Sequence, residues 1–214
     1  MDQEKILFIL LGWVLGLASP LIVDEIRRWR ERRDIRATLR TELHELQYRL
    51  ALVAWQVQLR LGHLDRALFE WFWPIVLGYK GIYADQNLIA IAKSLASVPP
   101  DQLDQQIARA AETAKAPPGS ALVLKKHAAS FLDSRVSSFS SLESALVSRL
   151  SEIRTQLSFF NEDVDQARFY FQLTYNSGLT DENRDRALHS LSLVQKGAAT
   201  RCREIVDQIK KLEF

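Results

Sequence analysis

Apolar residues divide this chain into one unbroken block followed by a series of stripes at helical spacing. The block is residues 6 to 23, Ile-Leu-Phe-Ile-Leu-Leu-Gly-Trp-Val-Leu-Gly-Leu-Ala-Ser-Pro-Leu-Ile-Val, without a single charge. At a rise of 1.5 Å per residue such a helix reaches about 27 Å, close to the depth of a hydrocarbon core. Arg27, Arg28, Arg30, Arg32 and Arg33 follow at once, whereas only Lys5 precedes the block, offset by Asp2 and Glu4. Basic flanks stay on the cytoplasmic side. The expectation is therefore a single-pass transmembrane anchor over residues 1–23 of a bacterial inner membrane. Its N-terminus lies outside, its arginine collar meets anionic lipid headgroups, and residues 24–214 form a cytoplasmic domain. A cleaved signal peptide opens on a basic segment, which Met-Asp-Gln-Glu-Lys is not, and Pro20 stands near where cleavage would fall.

Beyond the block the stripes predict helices throughout. Ile35, Leu39, Leu43, Leu46, Leu50, Val53, Val57, Leu61, Leu64 and Leu68 advance in steps that sum to 11, a period that keeps a helical seam nearly straight. Only Gly62 interrupts the stretch from Asp24 to Phe72. If that helix is continuous, Leu68 lies about 67 Å beyond the membrane. The aromatic cluster of Phe69, Trp71, Phe72, Trp73, Tyr79 and Tyr83 is then core or a contact surface, not an interfacial belt. Helices over 85–97 and 101–115 follow, separated by Pro99-Pro100, and Lys115 to Ser120 with Pro117-Pro118-Gly119 marks a possible sub-boundary. Ser120 is placed to cap a long helix reaching Phe160, with Leu132, Val136, Phe139, Leu146, Leu150, Ile153, Leu157 and Phe160 in a heptad seam. Asn161 is placed to cap a continuation. Thr180-Asp181-Glu182 opens a last helix with Ala187, Leu191, Val194, Ala198, Cys202, Ile205, Ile209 and Leu212 on one face. The fold class is all-α: an antiparallel helical bundle with long coiled-coil-like helices.

Two patterns of small residues are candidate assembly surfaces. Gly12 and Gly16 form a GxxxG, continued at the same spacing by Pro20, and small residues let helix backbones approach closely in lipid. Ser130, Ser134, Ser137, Ser141, Ser144, Ser148, Ser151, Thr155 and Ser158 make a hydroxyl stripe, opposite the heptad seam. It reads either as a weakly polar face or as a close-approach helix interface, with a phosphorylated or pore-facing stripe as further alternatives.

Composition narrows the chemistry. Glycine (8) and proline (6) are scarce, which fits helices, and the net charge of +2 gives no whole-chain argument for nucleic acid. The single cysteine, Cys202, rules out an internal disulfide and a multi-cysteine metal site. No phosphate-binding glycine loop, HExxH or nucleophile elbow occurs, and His44, His63, His127 and His189 are scattered, reading as solvated side chains. No cofactor and no metal are expected.

Arg184-Asp185-Arg186-Ala187-Leu188-His189 resembles the Arg-x4–6-His signature of the HEPN superfamily of all-helical bundles. The resemblance implies that Arg184 engages RNA phosphate and His189 assists attack by a 2′-hydroxyl across a dimer, as in a metal-independent endoribonuclease. The pattern is also similar to membrane-anchored HEPN-like accessory proteins of bacterial defence systems. On a helix, however, residues five apart diverge by about 140°. The leading expectation is therefore a non-enzymatic membrane protein, a homo-oligomer or a dock for a cytoplasmic partner, in a defence or stress system or as a pore. The ribonuclease, with RNA as its partner, is the alternative.

Overall fold

Apolar steps of four and three carry a helix forward until the backbone meets a residue free to turn, and here that residue is Gly62. In the computed structural model, which describes residues 2–115, 117, 122–134 and 142–212 but not the side chains of 2–12, 14, 15, 17, 18, 21 and 100, helix α1 runs unbroken from Asp2 to Leu61. Gly62 then adopts φ 71°. Its amide donates to the Leu59 carbonyl and that of His63 to Gln58, the paired bonds of a glycine-terminated helix end. Asp65 caps the next helix, accepting from the Leu68 amide at 2.7 Å, and α2 (Arg66–Gly78) folds back along α1.

This reversal corrects the expectation of one helix to Phe72. Phe72 stacks on Trp55 at 4.6 Å and Tyr79 on Tyr48 at 4.0 Å between ring centroids. The aromatic cluster is core: Phe69, Phe72, Trp73 and Tyr79 are buried, and only Tyr83 stays exposed. Helices α3 (Gln86–Ala96) and α4 (Pro100–Ala114) follow. They add Ala92, Leu103, Ile107 and Ala111 to the core.

The second half is built on a long antiparallel hairpin, α6 (Ser144–Thr174) and α7 (Asp181–Lys210), with α7 also packed on α1. Arg149 of α6 donates to the Lys211 carbonyl, and Gln208 to Glu152, which places the start of α6 against the end of α7. The α1 seam is buried as its spacing predicts, with Leu39, Leu43 and Leu50 at most 1% exposed. So is that of α7, where Ala198, Cys202 and Ile205 are fully covered. Burying a leucine of this kind contributes about 1.5–3 kcal/mol.

The expected helix from Ser120 to Phe160 is not continuous. Residues 122–129 are non-helical, α5 covers only Ser130–Ser134, and Ser120 and residues 135–141 lie outside the described residues. This non-helical strap is held by polar bonds that a helix could not make. Asn161 accepts from the His127 amide at 3.0 Å and donates to its carbonyl at 2.8 Å, while Gln195 donates to the Leu122 carbonyl. Asn161 thus clamps the strap from within α6 instead of capping a new helix. Glu42 of α1 accepts from the Phe131 and Leu132 amides at 2.7 and 3.0 Å, satisfying the open start of α5. The described residues are all-α, and among them no helix is long and apolar enough to cross a membrane. Most side chains of the 6–23 block lie outside the described residues.

Candidate functional site

The arrangement that sets this molecule apart is the length of α1 that no other element covers. Bundle packing begins at Ile35; the described side chains from Ile22 to Glu31 are all exposed. Residues 24–34 thus form a stalk of about 16 Å. Its arginines point outward in several directions, with Arg27, Arg28, Arg30 and Arg33 exposed and Arg32 partly covered. Arg32 reaches Glu25 at 4.0 Å, and the Arg33 guanidinium sits 5.7 Å from the Trp29 ring centroid. Exposed ion pairs this loose contribute little to stability. The collar is therefore free to meet anionic groups. Apolar residues interrupt it: Ile22, Val23, Ile26 and Trp29 are 55%, 59%, 46% and 56% exposed. A shallow groove lined by Arg27, Arg30, Asp34, Ile35, Thr38 and Phe131 joins the stalk to the bundle.

The expected assembly residues fall in different places. Gly12, Gly16 and Pro20 lie in α1, and a Cβ at Gly16 would meet nothing within 4 Å. Ser144 and Ser148, with Ser151, Thr155 and Ser158, line an exposed face of α6; Ser137 and Ser141 lie outside the described residues. Glu143, a charged residue at the heptad position between Phe139 and Leu146, precedes α6 and pairs with Arg36 at 2.8 Å.

Arg184 and His189 share α7 but not a face. Arg184 is half-buried and pairs with Asp181 at 3.4 Å, with its Nε covered and without a partner; His189 is exposed. A single subunit does not bring the two together.

His127 departs from the solvated reading given to all four histidines. It stacks on Phe160 at 5.8 Å with Nε2 buried and unbonded. Burial, reinforced by Arg49, lowers its pKa to about 4. Burial likewise raises the pKa of the Cys202 thiol, and nearby Asp163 adds to the effect, so this cysteine is a packing residue rather than a nucleophile. Among the described residues no group of His, Cys, Asp and Glu is placed to hold a metal ion.

Three further positions take roles that spacing alone did not give them. Glu42 and Asn161 clamp the strap, and Trp71 donates to Asp207 at 2.7 Å between the cations of Arg203 and Lys210. A lone amide or carboxylate beside an apolar helical stripe was the available signal. No known family model, characterised protein or solved structure matches the chain.

Proposed function

We propose that this protein is a single-pass membrane protein that works without chemistry of its own, presenting a cytoplasmic helical bundle for self-association or partner docking. The observation that carries the reading is the uninterrupted α1. One helix contains the uncharged block, the arginine collar and the bundle's central seam, so a rotation or approach of anchors is transmitted directly into the core. The N-terminus outside and the bundle inside follow from the charge bias across the block. A role in a bacterial defence or stress system, or at a membrane pore, is compatible with such a rod. The assembly is tested by light scattering of the detergent-solubilised full chain. A defined oligomer is expected, weakened by combining Gly12→Leu with Gly16→Leu, and an unchanged mass in that variant removes the glycine face from the assembly.

A second reading, a HEPN-like ribonuclease, rests on the covered and unbonded Nε of Arg184. It requires His189 from another copy, because the two side chains diverge on α7. His189→Ala would abolish RNA cleavage or growth arrest while leaving helicity unchanged. Purified wild type that cuts no RNA ends this reading.

A further inference from the structure

We infer that the stalk between anchor and bundle is a parallel self-association seam, in which a second copy of this chain covers Ile22, Ile26 and Trp29. The inference rests on the membrane-anchored reading, because a shared membrane is what sets two copies parallel and in register.

Ser19, Ile22, Ile26, Trp29 and Arg33 advance in steps of three, four, three and four, the spacing of core positions in a two-stranded coil. Among the described residues none covers them: Ser19 and Arg33 are exposed, as are the three apolar residues between. Ile22 closes the uncharged block, but Ile26 and Trp29 are large apolar side chains on an exposed stripe of the solvated stalk, whose opposite side carries Asp24, Arg27, Arg28 and Glu31. The stalk is therefore amphipathic without a partner inside its own subunit.

Charge on either side of the stripe selects the occupant. With Ile26 in an a position and Trp29 in a d position, Glu25 falls at g and Arg30 at the following e. In a parallel pair these are the positions that meet across the seam, so Glu25 of one copy faces Arg30 of the other, twice over by symmetry. Among the described residues Glu25 makes the loose 4.0 Å contact to Arg32, and it can exchange that for Arg30 of the second copy at little cost.

The bundle leaves room for this. The stripe lies about 110° around α1 from the face that carries Ile35, Leu39 and Leu43 into the core, so two copies can meet along the stalk with their bundles turned aside. The seam fades where the bundle begins. Arg33 occupies the next a position and lies over its own Trp29, and Arg36 in the next d position is committed to Glu143.

The test is oxidative cross-linking of the full chain reconstituted in phosphatidylethanolamine–phosphatidylglycerol vesicles. Ile26→Cys is compared with Asp24→Cys and Glu31→Cys on the far side; the native Cys202 is buried and does not interfere. Several-fold more dimer is expected from Ile26→Cys than from either control. Adding Glu25→Arg should lower that yield several-fold, and Glu25→Arg with Arg30→Glu should restore it. Equal cross-linking at all three sites, or a yield indifferent to both charge changes, overturns the seam. A light-scattering oligomer without preference for Ile26→Cys overturns the seam while leaving the anchor assembly standing. A monomer throughout overturns both. All five positions are exposed, so unchanged helicity by circular dichroism verifies that each variant folds.

Discussion

The two parts of α1 are one continuous helix with opposite circumstances. From Ile35 to Leu61 it is the spine of the bundle, with Leu39, Leu43 and Leu50 buried and α7, α2, α4 and α5 packed against the helix. From Ile22 to Asp34 it is largely exposed, and its apolar residues are covered by none of the described residues. The difference teaches that helix continuity and packing are separate properties. The stalk stays helical because no glycine or proline occurs between Pro20 and Gly62, and α1 runs unbroken through Pro20 itself. Side-chain burial then decides which part is stability and which is left for other molecules.

The comparison is broken most strongly by cutting into both parts. Leu50→Ala, which empties a fully covered site on the packed part of α1, is expected to cost about 2–5 kcal/mol in denaturant unfolding. Trp29→Ala on the stalk is expected to stay within about 0.5 kcal/mol while weakening assembly measured by light scattering. If both substitutions destabilise equally, the stalk is not free.

A smaller effect sharpens the role of the strap. Glu42→Ala leaves the Phe131 and Leu132 amides without their acceptor, a loss of about 1–3 kcal/mol. Limited proteolysis should then cut within 122–134 ahead of the α6–α7 hairpin. Protection equal to wild type would show that apolar contacts at Leu124 and Leu132 suffice.

Smaller again is the pH response of His127. Its folded pKa lies below the unfolded value, near 4 against 6.5, so the unfolded chain takes up the proton first. Stability should be full above about pH 6.5 and fall as the pH drops toward 4. His127→Phe keeps a ring against Phe160 and should flatten that part of the thermal-melting profile between pH 7 and 5. An unchanged slope would assign the acid sensitivity to the carboxylates instead.

Much of this fold is legible in the sequence because the long helices carry regular seams. The α7 face from Ala187 to Ile209 and the α6 run from Leu146 to Phe160 are buried as spaced, with only Val194 half-covered. The reversal at Gly62 was visible as a lone glycine but not as a fold-back, since the stacking of Phe72 on Trp55 is a tertiary event. The strap was not legible: Leu124 and Leu132 fit a helical stripe as well as an extended one, and Asn161 and Glu42 decide the matter from distant helices. Of the candidate sites, the arginine collar was readable from the charge pattern, whereas the exposure of residues 22–34 was not, because it depends on where bundle packing begins. Arg184 and His189 followed from a six-residue motif that one subunit leaves divergent.

The central claim is that α1 joins a membrane to the bundle as one rod, and membrane extraction with topology mapping tests it most directly. Full-length protein in the membrane fraction should resist alkaline carbonate, and protease added to the cytoplasmic side should digest the bundle while sparing residues 6–23. Release of the intact chain by carbonate, or protease access to the bundle from the outer side alone, would contradict the account.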